Sequence, residues 1–136
     1  MQEQNSSCKF VTPQKSNNMI NIKVVLLILI VHWVADFLCQ TDYMALNKSK
    51  SNKALLWHTL TYTTVWVPLS VIYLGQLAGW FLLITLVAHT ITDYITSRIT
   101  GKLYREQKRY WFFFVIGIDQ VLHYIQLILT YQLLVK

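Results

Sequence analysis

Val24-Val25-Leu26-Leu27-Ile28-Leu29-Ile30-Val31-His32-Trp33-Val34-Ala35-Asp36-Phe37-Leu38-Cys39-Gln40-Thr41 is an apolar run interrupted by one imidazole and one carboxylate, spaced four residues apart. A run of this length is close to the lower limit for a membrane-spanning helix. Four residues make one helical turn, so His32 and Asp36 share a face. The same pairing recurs as His89/Asp93 and Asp119/His123, each inside another apolar stretch. An aspartate at the centre of a membrane helix costs about 2.5–3.5 kcal/mol, so three cost roughly 9 kcal/mol. A chain that keeps three is using them.

Composition points the same way. The 136 residues are 54% hydrophobic and only 13% charged, against about 25% charged in an average soluble domain. Mean hydropathy is +0.39. The fold class these values predict is all-α: a polytopic membrane protein, a bundle of four transmembrane helices, with no room for a separate soluble domain. Lys and Arg cluster at Lys48–Lys53 and Arg98–Arg109, a topology signal that also attracts anionic lipid. No nucleic-acid partner is expected despite the net charge of +6. Cys8 and Cys39 form no disulfide or C-x-x-C framework.

Residues 1–22 read as a polar, disordered tail, with Met19 an alternative start to Met1. Residues 23–136 form the transmembrane domain. Its spans are expected at about 24–41, 54–74, 80–97 and 110–134, with a polar loop from Asp42 to Lys53. Pro68 is expected to kink the second span, with Thr63, Thr64 or a neighbour serving the carbonyl it frees near Thr64. Gly75–Gly79 reads as a turn, and Gly101 as a helix terminator. Placing the basic loops 42–53 and 98–109 in the cytoplasm of an inner-membrane protein leaves both termini outside.

At about 1.5 Å per residue from the basic-loop end of each span, Asp36, His58 and Asp93 lie roughly 7 Å deep. His32, His89 and Asp119 lie roughly 13 Å deep, and His123 near 20 Å. A four-helix bundle can gather such residues in its core. Imidazole with carboxylate is a ligand set for zinc, iron or manganese. The metal-ligand candidates are therefore His32, Asp36, His58, His89, Asp93, Asp119 and His123, with one or two divalent ions as the cofactor. Asp36, Asp93 and Asp119 are the catalytic candidates. Gln40, Tyr62, Tyr94 and Gln120 are candidate supporting residues, and Arg98 a candidate for holding an anionic group such as phosphate. Two other readings of the same residues remain: a proton or cation pathway, and structural polar packing between helices. Signatures of common soluble enzymes, such as H-E-x-x-H, G-x-S-x-G or a Walker loop, are absent.

His32-Trp33-Val34-Ala35-Asp36-Phe37-Leu38-Cys39-Gln40-Thr41-Asp42, Met44-Ala45-Leu46-Asn47-Lys48-Ser49-Lys50, His58, His89, Asp93-Tyr94-Ile95-Thr96-Ser97-Arg98 and Asp119-Gln120-Val121-Leu122-His123 resemble a family of unknown function, DUF3307. Its members are small multispanning membrane proteins of bacteria and phages. The resemblance covers nearly everything from Met19 onward and implies the fold and membrane location, but no reaction. The chain resembles membrane-bound metal-dependent hydrolases more loosely. By that analogy the expected activity is hydrolysis of a lipid-linked or phosphate-bearing substrate. The alternatives are the ion pathway or a non-catalytic phage or host membrane factor. Membrane lipids are the expected partners, and oligomeric state is open.

Overall fold

The computed structural model describes residues 21–136, and all of their regular structure is helical. The tail expected over residues 1–22 falls outside the described residues except for Asn21 and Ile22. Asn21 caps the first helix, its side chain accepting from the Lys23 N–H at 2.9 Å. Helix α1 (Ile22–Trp33) runs into a π-helical turn, Val34–Leu38, that carries Asp36. The wider turn ends the helix at Leu38 rather than near Thr41. Such turns are uncommon and frequent at functional sites.

The segment read as a plain loop after Asp42 contains a short helix, α2 (Asp42–Asn47), capped by Thr41. Ser51 then caps α3 (Asn52–Leu74), its hydroxyl accepting from the Ala54 N–H. Helix α3 runs unbroken through Pro68. Thr63 and Thr64 do not serve the carbonyl that proline frees: their hydroxyls donate to Thr59 O and Leu60 O. A 3₁₀ turn, Gly75–Leu77, reverses the chain, with Gly75 at φ +53°. That backbone conformation favours glycine.

Helix α4 (Ala78–Arg105) continues eight residues past the expected end at Ser97. Gly101 therefore lies inside the helix and does not terminate it. Its role is spacing: a Cβ there would stand 3.0 Å from Ser49 Cβ, so glycine lets the α2–α3 connection press against α4. After a turn at residues 106–108, α5 (Arg109–Val135) returns along α4.

Helices α3, α4 and α5 pack in sequence as an up-and-down array. Helix α1 packs against α5, and its π turn against α3. Two stretches, Asn52–Arg105 and Arg109–Val135, are long and apolar enough to cross a membrane. The first of these folds back on itself at Gly75, as α3 and α4. Its interior is unlike that of a water-soluble domain. Among the described residues, twelve polar or charged side chains are buried against nine apolar ones, and thirty-six large apolar side chains are exposed.

Candidate metal centre

The i,i+4 spacing brings each aspartate to the same face as its histidine, and the closed array turns those faces inward. His32, His58, His89, Asp93 and His123 are at most 1% exposed, and Asp36 is 4% exposed. All seven candidates meet in one chain of close approaches. His32 Nε2 is 4.0 Å from Asp36 Oδ2. Asp36 Oδ1 is 3.1 Å from His58 Nε2, which is 3.0 Å from Asp93 Oδ2. His89 Nε2 lies 3.8 Å from the same Asp93 oxygen. Asp93 Oδ1 is 3.7 Å from His123 Nε2, and His123 Nδ1 is 3.6 Å from Asp119 Oδ2.

His123 was expected deeper than its partners. The longer α4 removes that mismatch. Counted from the α4–α5 turn, Asp93 is about 18 Å and His123 about 21 Å along their helices, so they stand level.

Two ligand groups emerge. Asp36, His58, His89 and Asp93 each offer an atom within 4.8 Å of all the others, and so do Asp93, Asp119 and His123. In the first group, His58 and His89 face each other through Nε2 atoms 3.3 Å apart. A tetrahedral ion with bonds of about 2.0–2.1 Å separates its ligand atoms by roughly 3.3 Å. The separations on His58 and His89 run from 3.0 to 3.9 Å. Asp36 Oδ1, His89 Nδ1 and both nitrogens of His123 are buried without a hydrogen-bond partner. Unpartnered polar atoms of this kind are costly, and ligand duty would satisfy Asp36 and His123. The donor set therefore fits a divalent ion.

His32 stands outside both groups. Its Nδ1 is 2.7 Å from the Tyr62 hydroxyl and its Nε2 is 3.1 Å from Gln120 Oε1. Both nitrogens are thus occupied, which makes it a positioning residue. Gln120 ties the carboxylates together, its amide donating to Asp36 Oδ2 at 3.0 Å and Asp119 Oδ2 at 3.2 Å. Tyr62 stacks on His89 with ring centroids 3.7 Å apart. Tyr94 and Arg98 lie away from the cluster. Tyr94 is exposed; Arg98 sits over its ring and bonds the Tyr94 carbonyl and Asn52 Oδ1.

Lys48 belongs to the site although nothing in its spacing announced it. Its ammonium is 3.1 Å from Asp93 Oδ2 and 3.4 Å from His58 Nε2. Burial opposes that charge, but Asp93 and then Asp36 outweigh it and raise the lysine pKa. The only signal was Lys48's place in a basic loop, which reads equally well as topology.

A cleft of about 520 Å³ opens beside the cluster, reaching Asp36, Asp93, Asp119, Gln40 and Gln120. On the opposite side the cluster is capped by a buried apolar layer of Ile28, Trp66, Phe81 and Leu127.

A model of the family described as a protein of unknown function, DUF3307, matches residues 24–136, and the chain belongs to that family. No curated protein and no solved structure matches it.

Proposed function

We propose that this member of the DUF3307 family is an integral membrane protein with four transmembrane helices, and that it is a metal-dependent hydrolase acting on a lipid-linked or phosphate-bearing substrate. The observation that carries the metal reading is the convergence of Asp36, His58, His89 and Asp93, which bring ligand atoms within 4.8 Å of one another in the buried interior. Zinc, iron or manganese suits this donor set.

Membrane insertion is supported by the inverted burial pattern, with histidine and aspartate inside and Leu, Ile, Val and Phe outside. Helices α3, α4 and α5 have 23, 28 and 27 residues, each enough for a hydrocarbon core of about 30 Å. Helix α1 with its π turn is near the lower limit. The basic segments at 42–53 and 98–109 argue for an inner-membrane protein with those segments in the cytoplasm and both termini outside.

A bound divalent ion would lower the pKa of an attached water toward 7 and polarise the bond to be cleaved. The protein's own groups supply the rest. Asp36, His58, His89 and Asp93 would hold the ion, and Gln120 orients Asp36. Asp119 lines the cleft and is paired with His123. Its carboxylate would take the proton released by a water in the cleft, with His123 Nδ1 3.6 Å away. A second reading is supported by the second ligand group and by the two unpartnered nitrogens of His123. In that reading Asp93, common to both groups, would serve two ions, as in two-metal hydrolytic sites. The ion-pathway alternative is disfavoured because, among the described residues, the buried side chains beyond the cluster are Ile28, Trp66, Phe81 and Leu127 with Ser70, Thr85 and Thr130, none of which ionises.

Elemental analysis of the full chain purified in detergent tests this reading. One zinc, iron or manganese per chain is expected, or two if Asp93 bridges. Protein that carries no metal after purification and binds none on titration overturns it.

A further inference from the structure

We propose that Lys48 is the anion-binding residue of the cleft, and that metal binding frees it for that role. The inference rests on the metal centre proposed above. Its starting point is a conflict over two atoms. The Lys48 ammonium is held by Asp93 Oδ2 and His58 Nε2. Those atoms are 3.0 Å apart and belong to the four-ligand group. An ion bound there takes the Asp93 oxygen to which Lys48 donates and repels the ammonium through like charge. Metal and Lys48 cannot both keep these contacts.

The displaced side chain has one place to go. Lys48 lies in the turn between α2 and α3 and lines the 520 Å³ cleft. A lysine swings on a flexible four-carbon stem, so its head can turn into the cleft while the neighbouring Ser49 stays against Gly101. A sheltered ammonium needs a counter-charge. Asp36 and Asp93 go to the ion, and Asp119, bonded by Gln120 and Thr96, is the carboxylate left in the cleft. Lys48, Lys50 and Arg105 outnumber that one carboxylate in the lining, which leaves positive charge for a ligand to meet.

The rest of the cleft suits an anion. Lys50 and Arg105 add positive charge to its lining. The Ser97 hydroxyl, also in the lining, is buried and has no hydrogen-bond partner. Phe37, Leu46, Phe112 and Ile116 form apolar walls. The chemistry selected is a phosphate-type anion, carried on an apolar chain or free. The ion and this anion then reinforce each other, because the first releases the residue that binds the second.

The test uses full-length protein in detergent, wild type against Lys48→Met and Lys48→Arg. The probes are zinc alone, then inorganic phosphate and dihexanoyl phosphatidic acid added to zinc-loaded protein. Lys48→Met should bind zinc roughly tenfold more tightly and bind both anions roughly tenfold more weakly. Lys48→Arg, which keeps the charge, should stay near wild type for zinc. Opposite signs for the two ligands cannot come from misfolding, which weakens both. Tighter binding of the phosphatidic acid than of inorganic phosphate by the wild type assigns the apolar walls to a lipid chain. Equal binding assigns the site to the free anion. Zinc and anion affinities that are unchanged in Lys48→Met, or both weakened, overturn the inference and leave the metal centre standing. A wild type that binds no zinc, iron or manganese overturns both.

Discussion

Asp93 carries more of this site than any other side chain. Its Oδ2 serves His58, His89 and Lys48, and its Oδ1 faces His123. Asparagine keeps the shape and hydrogen-bonding capacity but removes the charge that balances a divalent ion. Asp93→Asn and His89→Gln should each yield folded, membrane-inserted protein depleted of metal. Asp119→Asn should keep the ion of the four-ligand group and lose only a second one. Metal content per chain, compared at equal size-exclusion behaviour, reads all three. Wild-type metal content in Asp93→Asn would mean that the cluster is packing between helices. Gln120 touches no ion in this scheme; it holds Asp36 and Asp119. Gln120→Leu should therefore weaken metal binding by about 10–100-fold without abolishing it, as measured by competition with a chelator.

At the scale of elements, two glycines are tied to particular geometry. Gly75 turns α3 into α4 at φ +53° with nothing near its missing Cβ. Gly75→Ala should then cost about 1–3 kcal/mol in backbone strain alone. The expected result is a lower Tm in detergent with unchanged metal content. Gly101 is the reverse case, a helical position whose Cβ would meet Ser49. Gly101→Val should push the α2–α3 connection away and carry Lys48 with it. Helicity by circular dichroism should hold while zinc affinity changes. An unaltered zinc affinity would separate the loop from the site.

At the scale of the molecule, the proposed arrangement sets the α2–α3 and α4–α5 connections on one side of the membrane and the Gly75 turn on the other. Single cysteines at Ser51, Gln107 and Gln76, in a background lacking Cys8 and Cys39, test it in intact cells. An impermeant thiol reagent applied outside should label only the Gln76 variant. Labelling at Ser51 and Gln107 instead would invert the orientation and bring the cleft to the outer surface.

The sequence by itself determined the apolar helices and the inward grouping of His and Asp, because both are local. A 3.6-residue period puts residues four apart on one face, and burying aspartate is costly enough to mark those faces as interior. The turn at Gly75 was legible from its glycine, whereas the segment expected as a loop over 98–109 is helical as far as Arg105. Tertiary structure decided what depends on distances between helices. The π turn at Val34–Leu38, the continuation of α4 through Gly101, and the levelling of His123 with Asp93 follow from how the helices meet. So does the division of labour within the cluster. His32 has the same one-turn spacing from its aspartate as His89, yet Tyr62 and Gln120 occupy its nitrogens while those partners leave His89 Nε2 facing His58. Lys48 shares no helix face with any aspartate, and only packing against α4 brings its charge to Asp93.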